Sequence, residues 1–449
     1  MPDLIIVGAG LAGSEAAWQA AERGLDVTIY EMRPQVMTSA HQTSNFAELV
    51  CSNSLGSLLI DRASGVLKLE LECLGSLLIR CAIESSVPAG GSLAVDRECF
   101  SELVTQKIEA HPRIKIIRDE VKTIPSQPVI LASGPLTSNI LSNKIAELTG
   151  QEYLFFFDAI APVVSYESIN MDIAFRASRY GRGQQEEGDY INCPMNKEEY
   201  ETFVTALLSA EKIKLHEFEQ EVNKGVCAGA NHFFESCLPI EILAKRGQKC
   251  LAFGPMRPVG LTDPRNGRKA YAILQLRQDN FNGTLYNLVG FQTNLKYTEQ
   301  SRIIQMVPGL EHVEIVRHGQ MHRNTFIFSP MLIHPTLQFK HRSDLFFAGQ
   351  ITGVEGYLGN IATGLLAGWN AAHLLSGKPL MVFPPTTMLG ALCRYITQAS
   401  PADFQPMKAN FGILPSLEMD HRLGKRQRAA LYAQRAKADL ETFLAKINI

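Results

Sequence analysis

The chain has 449 residues, 46% of them hydrophobic and 20% charged, a globular composition that excludes a disordered polymer. At roughly 150 residues per domain, this length predicts two to three domains and a large core. With 43 Lys+Arg against 45 Asp+Glu the formal net charge is −2, so bulk charge gives no reason to expect a nucleic-acid partner.

The first 31 residues read as a βαβ unit: an apolar strand at Leu4–Val7, a glycine turn, a helix to about Arg23, and a second strand from Asp26 to Tyr30. No basic region or cleavage site precedes the strand, so no signal peptide is expected and the location is expected to be cytoplasmic. The turn Gly8-Ala9-Gly10-Leu11-Ala12-Gly13 has the G-x-G-x-x-G spacing of dinucleotide-binding sites. Gly8 permits the tight turn, Gly10 lets the backbone approach a pyrophosphate, and Gly13 allows close helix–strand packing. The helix N-terminus then faces the phosphates. Glu31, at the end of the second strand, is placed to accept hydrogen bonds from ribose hydroxyls.

A helix around Arg97–Ala110 follows, then strands at Ile114–Ile117 and Val129–Ala132, the latter stopped by Ser133-Gly134-Pro135. Residues 155–164 are apolar and β-rich, as expected of a crossover into another domain. From about 165 to 320 charge clusters, Gly-Pro turns and short strands such as Tyr286–Gly290 predominate. A strand pattern returns at Asp344–Ala348, followed by Gly349 and an uncharged helix at 361–375. Residues 356–377 lack Asp, Glu, Lys and Arg and could cross a bilayer by length. Their five glycines, with Asn360, Asn370 and His373, point instead to a buried helix and no membrane partner. The expected units are 1–164, a first part of a nucleotide-binding domain; 165–320, an insertion domain; 321–400, the second part; and 401–449, a helical segment.

A late strand ending in Ala348-Gly349, and a middle turn at Ala132–Pro135, resemble the second and middle elements of glutathione-reductase-type flavoproteins. They favour FAD over NAD as the tightly bound cofactor. Gln350 stands where such proteins usually carry an acid, and it could still hydrogen-bond a ribityl chain. The fold class expected is α/β, a glutathione-reductase-type FAD-binding Rossmann domain split by an α+β insertion domain.

Nine scattered cysteines, without C-x-x-C or His pairing at zinc spacing, indicate neither a disulfide framework nor a metal site. Cys73, Cys81, Cys99, Cys250 and Cys393 sit among apolar residues and read as small core hydrophobes. Cys51 opens Cys51-Ser52-Asn53-Ser54, where polar donors could lower a thiol pKa. Cys237 lies between Phe233-Phe234 and Pro239. On spacing alone each is either a reactive thiol or a structural cysteine in a turn. Charge is also uneven: residues 184–221 hold ten acids and three bases, whereas 244–277 hold eight bases and one acid.

The runs Gly8–Glu15, Tyr30–Pro34, Phe46–Leu55, Asn192–Met195, Phe253–Leu261, Gln275–Asn280, Tyr286–Leu295, Met321–Phe326 and Phe346–Tyr357 together resemble one family. It is the folate- and FAD-dependent tRNA (uracil-5-)-methyltransferase family, TrmFO, and the resemblance spans essentially the whole chain in order. GidA-type tRNA-modifying flavoproteins are longer relatives. The resemblance implies transfer of a one-carbon unit from 5,10-methylenetetrahydrofolate to carbon 5 of uridine 54 in the tRNA T loop. NADH or NADPH would reduce the flavin, whose electrons turn methylene into methyl. The family's two catalytic cysteines fall on Cys51 and Cys237. His322, Arg323 and Asn324 are candidates for gripping folate or flavin, or else form a hydrogen-bonding turn. After Gly356-Tyr357 the family usually carries an acid within a Val-Glu-Ser-Ala-like run, whereas this chain has the uncharged Leu358-Gly359-Asn360-Ile361.

With an RNA partner implied, the basic block becomes the candidate phosphate-binding face, through Lys245, Arg246, Arg265, Arg268 and Lys269, with the basic C-terminal helix as an extension. Two other readings compete: an FAD-dependent oxidoreductase acting on a small molecule, and methylation of a ribosomal RNA uridine. The sequence carries no signal for oligomeric state.

Overall fold

The computed structural model describes residues 2–38, 40–150, 154–213, 238–400, 404–417 and 424–447, apart from the side chains of 154–158 and 322–323. Its first layer is a five-stranded parallel sheet. The order is Leu345–Phe347, Val129–Leu131, Leu4–Val7, Val27–Tyr30 and Ile114–Ile117. Leu4–Val7 lies at the centre and all four of its residues are buried, as a parallel strand covered on both faces requires. The late strand Leu345–Phe347 pairs with Val129–Leu131, so a segment beyond the insertion completes a sheet begun at residue 4. This is the split nucleotide-binding architecture expected from the sequence.

Two helices cross in front of this sheet, Leu11–Glu22 and Tyr357–Leu375. Their approach explains the glycines of the uncharged stretch. A Cβ on Gly364 would lie 2.3 Å from the Ala12 carbonyl oxygen, and one on Gly368 would lie 2.6 Å from that of Ala16. Backbone thus meets backbone, and the Trp369 indole reaches across to donate to Gln19 Oε1 at 2.7 Å. Among the described residues no helix is long and apolar enough to cross a membrane. This helix starts at Tyr357, four residues earlier than the pattern at 361–375 suggests, because Gly356 (φ +82°) forms its N-cap.

The chain leaves and re-enters this layer through two antiparallel strands, Leu154–Ala159 and Met321–Phe326. Between them lies a six-stranded antiparallel sheet, ordered Phe175–Ala177, Tyr190–Met195, Ala272–Gln278, Leu285–Leu288, Val163–Ser165 and Ile315–Arg317. Its long strand Ala272–Gln278 is buried along its whole length. Ala272, Leu274 and Leu276 face an apolar core with Tyr200, Phe203 and Phe291. Gln275 and Arg277 occupy the opposite face, in accordance with the period of 2.

Residues 54–95 contribute elements that the periodicity does not announce: a three-stranded sheet and the helices Ala63–Cys73 and Leu77–Glu84. The helix Lys425–Lys446 packs Ala433, Ala436 and Leu440 into the main core. Cys81 and Cys393 are core residues as expected, with burial pushing both thiols up to about 12. Cys73 is exposed at the end of its helix, while Cys99 and Cys250 are half-buried. Cys73 shares a face of that helix with Val66 and Leu69, beside Ala433 and Leu440 of the C-terminal helix.

Candidate active site

The G-x-G-x-x-G turn lies at the C-terminal end of the central strand and lines an open groove of about 1000 Å³. Gly8 (φ +97°) has no room for a side chain, since a Cβ would lie 2.6 Å from the Ala132 carbonyl oxygen. At Gly13 a Cβ would lie 1.7 Å from the Gly8 carbonyl oxygen. Gly10 differs: a Cβ there would meet nothing within 4 Å, so its backbone faces the groove. The helix beginning at Leu11 has no side-chain cap, which leaves first-turn N–H groups for an anion. A cradle closed at Gly8 and Gly13 and open at Gly10 fits a dinucleotide pyrophosphate. Leu11, Ala12, Ser133, Gly134, Gly349 and Gln350 line the same groove.

Glu31 also lines it, with its carboxylate already committed in part. Oε2 accepts the Ala9 N–H at 2.9 Å, and Oε1 accepts both the backbone N–H and Nε–H of Arg33, at 3.1 and 2.9 Å. Burial pushes this carboxyl up, but the adjacent Arg33 guanidinium and these bonds outweigh it and hold it below its ordinary value. Glu31 therefore stays ionised, with lone pairs remaining for a ribose.

The groove opens into a second chamber of about 950 Å³. Val50, Pro135, Leu136, Gln350, Tyr357 and Asn360 line both cavities. The chamber also contains Cys51, Ser52, Asn324, Glu355 and Lys408. The half-buried Cys51 sits on a loop tied down from several directions. The Tyr357 hydroxyl accepts the backbone N–H groups of Cys51 and Ser52 at 2.9 and 3.0 Å. Fully buried Asn53 donates to the carbonyls of Val95 and Gln278, both at 2.9 Å. Arg277 donates to Asn53 Oδ1 and Ser52 Oγ, both at 2.8 Å. The polar face of the insertion sheet thus rests on the Cys51 loop.

Asn324 reaches the chamber from the re-entering strand. His322 and Arg323 lie on that strand opposite Asp158 and Phe157, but their side chains fall outside the described residues. Cys237 is likewise outside the described residues. Gln350 donates to Glu355 Oε2 at 2.9 Å. A carboxylate thus stands on the chamber wall two residues before Tyr357.

The basic block does not form a uniform surface. Arg277 is buried beneath the Cys51 loop, which removes it from any phosphate-binding face. Arg265 grips Asp263 through Nε and Nη2, at 2.9 and 2.7 Å, and also donates to the Asp172 carbonyl. Lys245, Arg246, Arg268 and Lys269 are exposed.

Residues that single-position reasoning passes over include Tyr357, Glu355, Asn360, Arg97, Arg317 and Asp279. The available signal is the alternation of Gln275 and Arg277 with Leu274 and Leu276 inside one strand, which marks a face covered by something polar.

Residues 3–379 match the family model described as glucose inhibited division protein A. The chain is 54% identical over 446 residues to the methylenetetrahydrofolate–tRNA-(uracil-5-)-methyltransferase TrmFO of Halalkalibacterium halodurans, covering 99% of each chain. It is 53% identical over 437 residues to the protein of the same name in Bacillus subtilis, covering 97% of each. Among solved structures it is similar to Aquifex aeolicus GidA, with a TM-score of 0.68 at 15% identity, over 98% of this chain and 73% of that one. That likeness concerns the fold, and it agrees with a Rossmann-type sheet split by an insertion. Similarity at this level along the full length places the chain in the methylenetetrahydrofolate–tRNA-(uracil-5-)-methyltransferase (TrmFO) family.

Proposed function

We propose that this chain methylates carbon 5 of a uracil in tRNA, with 5,10-methylenetetrahydrofolate as the one-carbon donor and FAD as the tightly bound cofactor. The observation that carries this reading is the wall shared by the two cavities, where Gln350, Tyr357 and Asn360 border both the dinucleotide groove and the chamber that contains Cys51. FAD, when bound, supplies the electrons that turn a methylene into a methyl group, and NADH or NADPH is the reductant that replenishes them. The target is uridine 54 of the T loop.

The protein's own residues have a definite task. Carbon 5 of uracil is a weak nucleophile, and a thiolate adding at carbon 6 moves electron density onto carbon 5. After one-carbon transfer a base must take the carbon-5 proton before the thiol leaves. Cys51 and Cys237 divide these roles, and Tyr357 holds the Cys51 loop through two N–H groups. Glu31 and the uncapped helix at Leu11 hold the dinucleotide. Asn324 and Lys408, on the chamber wall, offer polar groups to the folate or the base.

The test is methylation of unmodified tRNA by purified protein with methylenetetrahydrofolate and NADH or NADPH, read by nucleoside mass spectrometry. 5-Methyluridine is expected, and substitution of uridine 54 should abolish it. Product formed from S-adenosylmethionine alone would overturn the reading, as would a purified protein without a flavin absorption band.

A further inference from the structure

The register of the insertion sheet aligns a transverse row. Tyr190 lies opposite Arg277, Arg277 opposite Asn287, Asn287 opposite Val163, and Val163 opposite Arg317. Side chains at paired positions share a face, so Arg277 and Arg317 point to the side that meets the Cys51 loop. Arg277 reaches Ser52 and Asn53. From the nucleotide-binding layer, Arg97 donates to the carbonyls of Leu49 and Cys51, at 2.9 and 3.2 Å. Asp279 joins the two sides, accepting Arg97 Nε–H at 3.1 Å and Arg317 Nη2–H at 3.3 Å.

Charge does not balance here. Two guanidiniums, Arg97 and Arg317, meet on one carboxylate while Arg277 bonds the neutral Ser52 and Asn53 beside them, and Arg317 Nε is buried without a hydrogen-bond acceptor among the described residues. Burial lowers Arg317 to about 10, and the neighbouring Arg97 charge adds to this. Arg317 nevertheless keeps its proton at neutral pH, and Asp279 holds it beside Arg97, whose Nη2 donates to the Cys51 carbonyl at 3.2 Å. The other ionisable groups on the chamber are Glu355 and Lys408, opposite in sign, and Tyr357, which burial keeps neutral. The local surplus is positive, and the thiol can respond by giving its proton to solvent.

We propose that Arg317 and Arg97 act as positioning residues that hold the Cys51 sulfur as a thiolate near neutral pH, with Asp279 limiting the effect. A cation close to a thiol favours its anion, and thiolate addition to uracil requires that anion. The catalytic consequence rests on the reading of Cys51 given above, but the ionisation itself is measurable without turnover.

The experiment uses full-length, flavin-loaded protein and follows iodoacetamide alkylation of the Cys51 peptide against pH by mass spectrometry. The wild-type midpoint should fall at least one unit below the ordinary thiol value of about 8.5. Arg317→Met should raise it by about one unit, Arg317→Lys should restore most of the shift, and Asp279→Asn should move it the other way. The Cys73 peptide, whose exposed thiol has Glu72 and Lys437 among its charged neighbours and none of these arginines, serves as the internal reference. A wild-type midpoint at the ordinary value, or one unmoved by Arg317→Met, overturns the proposal. If Arg317→Met fails to fold, Asp279→Asn decides: a lowered midpoint supports the proposal and an unchanged one rejects it. Turnover by Cys51→Ala would instead overturn the catalytic reading of Cys51 and leave the measured ionisation standing.

Discussion

The Tyr357 hydroxyl accepts the backbone N–H of Cys51 at 2.9 Å, which ties the first turn of the glycine-rich helix to the loop that carries the thiol. The same oxygen takes the Ser52 N–H at 3.0 Å. Tyr357→Phe keeps the ring in the wall of both cavities but strands two donors, at a cost of about 1–3 kcal/mol. Flavin content should be retained while methylation falls at least about tenfold, because a misplaced reacting group is costly in rate. Wild-type turnover by this variant would remove the anchoring role.

The nucleotide turn offers a paired test. Gly10→Ala adds a methyl that touches no protein atom within 4 Å, and the backbone there has an ordinary negative φ of −71°. The ligand-free fold should therefore survive with little change in urea midpoint, while flavin retention collapses. Gly13→Ala drives a Cβ to 1.7 Å from the Gly8 carbonyl oxygen. It should lose stability by more than about 2 kcal/mol. Equal stability losses in the two variants would contradict the distinction between a glycine kept for a ligand and one kept for packing.

These glycines were legible in sequence because the strand, turn and helix that set their spacing run unbroken from Leu4 to Glu22, although the carbonyl that closes Gly8 comes from Ala132. Cys51 was legible for the same reason, as a thiol among small polar residues, although spacing alone left its role open. The arginine cluster was not legible. Arg97, the pair Arg277 and Asp279, and Arg317 come from three separate segments, and only the docking of the insertion sheet on the Cys51 loop brings them together. Read along the chain, Arg277 belonged to a basic block and looked like surface. Its burial is set by the period-2 geometry of a central strand, which block charge counts ignore.

Glu70 predicts a pH dependence of stability. It is buried, and its two carboxylate oxygens accept the N–H groups of Met388 and Leu389 at 2.7 and 2.8 Å, at the start of the helix Met388–Gln398. Burial outweighs these bonds and raises its pKa to about 7 from the usual 4.5. Between those values the folded state holds a proton that the unfolded chain has released, so stability falls as pH rises from 4.5 to 7 and is level above that. Wild type should lose about 2–3 kcal/mol across this window. Glu70→Gln should lose less, measured by urea unfolding at pH 5 and pH 8. Parallel losses in the two proteins would show that Glu70 is ionised in both folded and unfolded states.

The RNA-binding face can be narrowed by what each cation already holds. Arg265 is engaged with Asp263 and the Asp172 carbonyl, so reversing it would disturb its own loop as much as any phosphate contact. Arg268 and Lys269, three and four residues on, are exposed and leave the loop's geometry to Asp263 and Asn266. The double variant Arg268→Glu with Lys269→Glu should therefore weaken tRNA binding without loss of flavin or fold. Each phosphate contact removed should flatten the dependence of log affinity on log salt by about one unit, so a loss of about two units is expected if both cations contact phosphate. Unchanged affinity and slope would exclude this face. The same measurement on Lys425→Glu, Arg426→Glu and Arg428→Glu, exposed at the start of the C-terminal helix, would then show whether the basic surface lies there.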